Sequence, residues 1–385
     1  MANIPIAKPL FGAEELAAVA KTLESGWVVQ GPYVAEFEKR FGAFIGTPHA
    51  LACSNGTTAL HLAYAAMRLG EGDEVIVPSF TWVATANAVV YCGARPVFCD
   101  IDLATFNIDP AAIEACITPR TKGIVPVHLF GLCAEMTPIL EIAKKHGLWV
   151  VEDAACGFGA TYYGQQAGTL AETATFSFHP RKSITTGEGG MVTTSRAEVA
   201  ALVRSQRDHG VATRHDEPPF LLPDYDELGF NYRLTDIQAA IGCAQLDRAE
   251  YIMEQRRHRA RIYDEQLAAL AWLRTPHVPR HMEHSYQAYV CLFAPEEPSI
   301  ENVDALETRR NALMTKLDER GITTRQGTHA PVLRRFYREK FNVDPTQFPN
   351  AALAEKLSFA LPLYPQMTDE EQARVIDALR EIGPC

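Results

Sequence analysis

The chain has 385 residues, 47% hydrophobic and 22% charged, a globular balance that excludes disorder and collagen-like repeats. That length predicts two domains rather than one small one. Lys plus Arg number 36 against 47 Asp plus Glu, and the net charge of −11 makes nucleic acid and anionic membranes poor partners while allowing a local basic pocket for a phosphorylated ligand.

No stretch reaches the roughly 20 apolar residues that span a bilayer. The first residues lack a basic region followed by an apolar one, so no secretory signal is expected. The 9 cysteines are scattered singly without a C-x-x-C pair, which predicts neither a disulfide framework nor a zinc site, and no metal is expected. Together these features predict a soluble, cytoplasmic protein with reduced thiols.

In chain order, residues 50–52 read as an apolar strand, and Ala59, Leu62, Ala63 and Ala66 repeat with helical spacing. Residues 74–78, 96–100, 123–127 and 148–152 read as buried strands. Among them lie a short helix over 110–116, with proline near its first position, and a crossover helix over 138–146 that stops at Gly147. Residues 173–178 and 190–194 are two further strands. Near-continuous apolar runs suit a parallel or mixed sheet covered on both faces. Alternation with helices predicts an α/β fold whose ligands gather at the carboxyl ends of the strands. After about residue 245 the pattern changes to long charged helices over 251–270 and 302–321. Thr368-Asp369-Glu370-Glu371 then forms a capping box for a helix that Gly383-Pro384 stops. These signals predict a large α/β domain over 12–244 and a smaller α+β domain over 245–385, with residues 1–11 packing near the latter.

Three segments carry chemistry. Asp153 follows the strand ending at Val151 and faces the ligand crevice; it is either a cap or loop anchor, or the partner of a cationic heterocycle. Lys182 lies in Ser177 to Gly190, a segment with a Gly-rich turn; this is either a solvated loop or the seat of a lysine nucleophile with a lowered pKa. Ser54-Asn55-Gly56-Thr57-Thr58, between a strand and a helix, is either a plain N-cap or an anion seat built from free N–H groups. With Trp82 as an aromatic platform, these are the parts that pyridoxal 5'-phosphate (PLP) requires: a phosphate cup, a ring stack, a charge partner for the pyridine nitrogen and a Schiff-base lysine.

In order and local sequence the chain resembles the DegT/DnrJ/StrS family of sugar aminotransferases on the fold type I, aspartate aminotransferase-like scaffold. The resemblance spans nearly its whole length. It rests on Ser25-Gly26-Trp27-Val28-Val29-Gln30-Gly31-Pro32, the Ser54 to Leu60 segment, and Pro78-Ser79-Phe80-Thr81-Trp82. It continues through Glu152-Asp153-Ala154-Ala155, Ser177 to Gly190, the Gly229-Phe230-Asn231-Tyr232-Arg233 run, and Leu361-Pro362-Leu363-Tyr364-Pro365. The resemblance implies that Lys182 carries the cofactor and that Asp153 pairs with its ring nitrogen. It places Trp82 against the ring and Gly56, Thr57 and Ser177 on the phosphate. Asn231 then reaches the phosphate of a second subunit, which implies a homodimer with shared sites, and Arg233 and His329 approach the substrate. One departure is Cys156, where the family often has glutamine near the cofactor's phenolic oxygen; a thiol is a weak partner there.

The implied reaction passes nitrogen from glutamate, or glutamine, through pyridoxamine 5'-phosphate (PMP) to a nucleotide-linked keto sugar. Residues 91–94 and 118–122 look most like those of sugar 4-aminotransferases such as perosamine synthases. A 3-keto sugar or inosose acceptor is the alternative. Less favoured are a sugar dehydratase, whose lysine position is histidine, a regulatory binding protein, and an α/β-hydrolase built on Ser54. Aminotransferases for small dicarboxylates present an arginine from the small domain; here Gly327-Thr328-His329 approaches the site, with Arg325 nearby.

Overall fold

The computed structural model describes residues 3–212 and 221–384. Its main sheet has seven strands in the order His49–Cys53, Gly190–Thr194, Thr173–Ser177, Trp149–Asp153, Thr121–Ile124, Glu74–Pro78 and Arg95–Cys99. Neighbours from Thr173–Ser177 to Arg95–Cys99 run parallel. Gly190–Thr194 runs antiparallel to the strand on either side, so the sheet is mixed but mostly parallel.

The apolar runs are continuous because both faces are covered. Leu51, Cys53, Val75 and Val77 enter the core that holds Leu60 and Leu62 of the Gly56–Ala66 helix. Their neighbours Ala50 and Ala52 point the other way, to Phe37 and Phe41 of the Pro32–Ile45 helix, and Ile76 packs with Ile139 of the Met136–His146 helix. Successive strand side chains alternate between faces, so burial on both demands apolar residues at every position.

Several expected boundaries shift by a few residues, and three of the shifts are instructive. The strand expected at 123–127 is Thr121–Ile124; Pro126 has no N–H for the ladder, and beyond it only a single Val127–Asp153 bridge remains. The helix read from Ala59 begins at Gly56, because the Asn55 side chain accepts the Thr58 N–H at 2.9 Å and caps it there. The helix expected at 110–116 is an α-helical turn, Pro110–Ile113, followed by a 3-10 turn, Glu114–Cys116.

Beyond the Ala249–Leu267 helix the chain builds a four-stranded antiparallel sheet ordered Leu273–Arg274, Tyr289–Phe293, Ser358–Leu361 and Arg325–Gln326. Helices Val303–Glu319, Pro349–Leu357 and Asp369–Ile382 accompany it. Thr368 caps the last of these, accepting the Glu371 N–H at 3.1 Å. Ile4 forms a bridge with Ile322, beside the Arg325–Gln326 strand. Among the described residues no helix is long and apolar enough to cross a membrane.

Candidate active site

The register of three strands assembles one corner of the site. Gly190 faces Cys53 on one side and Ser177 on the other, so the segment after Cys53 meets the end of the Thr173–Ser177 strand. The approach is close enough to dictate composition. A Cβ on Gly56 would lie 2.8 Å from the Ser177 Cβ, and one on Gly190 would lie 2.3 Å from the Asn55 carbonyl oxygen. Asn55 caps the Thr58 N–H, and the Ala59 N–H returns to the Asn55 carbonyl at 3.0 Å. The N–H groups of Gly56 and Thr57 are first-turn donors with no intrahelical acceptor, at the positive end of the helix dipole. The Ser177 Oγ accepts the His179 N–H at 3.4 Å and keeps its own hydrogen free to donate.

Asp153 ends its strand and is 4% exposed. One carboxylate oxygen accepts the Thr85 hydroxyl at 2.7 Å and the other the Ala155 N–H at 3.1 Å. These bonds fix the carboxylate and leave lone pairs for one more donor. Trp82, three residues before Thr85, is 54% exposed. Lys182 lies in the turn between the Thr173–Ser177 and Gly190–Thr194 strands, and its N–H donates to the His179 carbonyl at 2.8 Å. Its Nζ donates to the Cys156 Sγ at 3.1 Å. The residue that departs from the family pattern therefore touches the lysine amine itself.

Gly56, Thr57, Trp82, Asp153, Ser177 and Lys182 line one cavity of about 840 Å3 at the carboxyl ends of the strands. The set fits PLP: two N–H groups and a hydroxyl for a phosphate, a flat ring face, a buried carboxylate for a ring N–H, and a primary amine for the aldehyde.

Three expected residues lie elsewhere in this chain. The ring of His329 does not line the cavity but packs against Trp82, with centroids 5.4 Å apart, and its Nδ1 is buried without a partner. Asn231 is exposed, its backbone bridged to Asp208. Arg233 is held away from the cavity by an ion pair with Asp208 and a 3.1 Å contact with the His209 Nδ1.

Other groups join, Thr85 and Arg181 among them, that the sequence reading did not single out. Thr85 holds Asp153, and its spacing of three from Trp82 at the start of a helix was the available signal. Arg181 and Arg325 both line the cavity, as does His179. The His179 Nδ1 accepts the Arg181 N–H at 3.2 Å. Burial holds its pKa below the usual histidine range, opposed by Glu188 and reinforced by the charges of Lys182, Arg181 and Arg325.

The DegT/DnrJ/EryC1/StrS aminotransferase family model matches residues 9–380. GDP-perosamine synthase of Caulobacter vibrioides is 42% identical over 382 residues, covering 99% of this chain and 98% of its own. The spore coat polysaccharide biosynthesis protein SpsC of Bacillus subtilis is 38% identical over 383 residues, covering 98% and 97%. Among solved structures, Spr1654 of Streptococcus pneumoniae in its PLP form superposes with a TM-score of 0.90 at 29% identity, covering 99% and 98%. Its PMP form gives 0.91 at 28%, covering 99% of both chains.

Proposed function

The chain belongs to the DegT/DnrJ/EryC1/StrS aminotransferase family, and on that premise we propose that it uses PLP to move an amino group from glutamate, or glutamine, to a nucleotide-linked 4-keto-6-deoxyhexose. The product would serve cell-surface polysaccharide or natural-product sugar synthesis, and the enzyme would work in the cytoplasm. The observation that carries this reading is the convergence of Lys182, Asp153, Trp82 and the Asn55-capped helix start on one cavity. Its volume of about 840 Å3 lies toward the upper end of the roughly 300–1,000 Å3 typical of small-molecule sites, with room for a large acceptor as well as a cofactor. The similarity to a GDP-perosamine synthase over nearly the full length supports the acceptor class.

When bound, PLP supplies an electron sink and, as PMP, a carrier for the nitrogen. The chain's own residues do the rest. The N–H groups of Gly56 and Thr57 and the Ser177 hydroxyl would hold the phosphate. Trp82 would cover the ring face. Asp153, held by Thr85, would accept the ring N–H and keep that proton in place. The Lys182 amine would act as general base and acid, holding at Nζ the proton taken from the donor's α-carbon and then giving it back. A lysine here, where dehydratases of this type carry histidine, favours amino transfer.

The acceptor test is single-turnover decay of the PMP-form absorbance with a panel of nucleotide 3- and 4-keto sugars, an inosose and 2-oxo acids. Fast decay with a nucleotide 4-keto sugar is expected. Decay only with 2-oxo acids other than 2-oxoglutarate would overturn the sugar assignment.

We further propose a homodimer in which Asn231 and Arg233 serve the partner's site, in keeping with their position outside the cavity of their own chain. A two-fold dimer makes both sites equivalent. Mixing inactive Lys182→Ala with inactive Asn231→Ala/Arg233→Trp should then give hybrids with one intact site. Bulk activity should recover to about a quarter of wild type under random pairing. No recovery despite subunit exchange would place all these residues in one chain's site.

A further inference from the structure

Arg181 immediately precedes the lysine in the chain, and Arg325 comes from the edge strand of the four-stranded sheet, where it pairs with Ala360. Both line the cavity that holds Lys182. Among the described residues neither guanidinium forms an ion pair with a carboxylate. The backbone under Arg181 is nonetheless built. Its carbonyl accepts the Gln287 amide at 2.7 Å, and its N–H is tied to His179. Burial and the charge of Arg325 both push the Arg181 pKa down, as expected of two cations facing a shared space without an anion between them.

We infer that Arg181 and Arg325 together form the seat for a multiply charged oxyanion, used in turn by both substrates. In one half of the cycle it would take the carboxylates of the donor amino acid, and in the other the diphosphate of the acceptor. The inference rests on the amino-transfer reading above and names how its two substrates are recognised. Both must reach Lys182 through this one cavity. Apart from Lys182, the Lys and Arg residues that this chain itself brings to the lining, among those described, are these two. The guanidinium fork suits carboxylate and phosphate oxygens equally, by paired hydrogen bonds. Among the described residues neither of the cavity's carboxylates, Asp153 and Glu188, forms an ion pair with either guanidinium, and Asp153 is held by Thr85 and Ala155. The seat is thus a local positive site in a chain of net charge −11.

The test titrates glutarate and inorganic pyrophosphate, as unreactive probes of the two anions, into the cofactor-loaded protein by calorimetry. Wild type is compared with Arg181→Gln and Arg325→Gln, and cofactor content is measured alongside. Each variant should bind both probes about 10- to 100-fold more weakly, the cost of losing one charge-assisted contact, while keeping its cofactor. Wild-type affinity for either probe in either variant would overturn the shared seat, and so would failure of the wild type to bind one of them. If both variants lose both probes while the wild type aminates no keto sugar, the seat stands and the acceptor assignment falls.

Discussion

Replacing Lys182 by alanine should leave a folded protein with transamination reduced by at least about 10⁴-fold, because in the proposed role the residue would supply both the covalent tether and the proton transfer. Proton transfer by a positioned group alone is worth roughly 10²–10⁴ in rate. Lys182 is only partly buried, and its amine makes one contact, with the Cys156 thiol, so its removal opens no core cavity. The wild-type protein should be yellow, and borohydride should fix the cofactor to the single peptide holding Lys182. Digestion and mass spectrometry check this; a labelled peptide without Lys182, or near wild-type turnover of the alanine variant, would sink the assignment.

Asp153→Asn should cost about 3 kcal/mol in the chemical step, roughly two orders of magnitude in kcat, with the fold and cofactor retained. The amide is nearly the same size, so the Thr85 and Ala155 contacts can persist in part. What disappears is the charge proposed to keep a ring N–H protonated, and burial makes that charge matter because little solvent screens it. Thr85→Val should give a smaller loss, about tenfold, by releasing one carboxylate oxygen. Stopped-flow absorbance of the first half-reaction measures both. An Asp153→Asn protein that is loaded with cofactor and fully active would remove Asp153 from the mechanism.

The two variants also divide what was legible in the sequence from what was not. Asp153, Ser177 and Gly56 sit at strand ends or a helix start, and Lys182 in the turn that follows one strand, where short-range pattern and the direction of a parallel sheet already point to a ligand. Their convergence on one cavity follows from the topology. The strands at 74–78 and 190–194 fall where their apolar runs begin and end, because burial on both faces leaves no polar position to blur the limits. The Thr85–Asp153 bond, the Lys182–Cys156 contact and the meeting of Arg181 with Arg325 carry no periodic signal. Each depends on how distant segments pack. Helices such as Ala13–Ser25 and Asp236–Asp247 escaped notice for a related reason. The buried positions of Ala13–Ser25 are Glu15 and Thr22, and Asp236–Asp247 buries mostly small residues, so neither marks its core face with large apolar side chains.

The row Cys53–Gly190–Ser177 has a consequence for how the protein matures. Ser177 and Gly190 belong to a local hairpin, which can close early because little chain must be ordered to form it. Cys53 and Gly190 are far apart in sequence, so their pairing closes a long loop at a greater cost in chain entropy. The proposed phosphate cup spans both contacts, so it exists only once this long-range pairing is made. Capture of the proposed cofactor would then favour the finished topology over any partly assembled one by mass action.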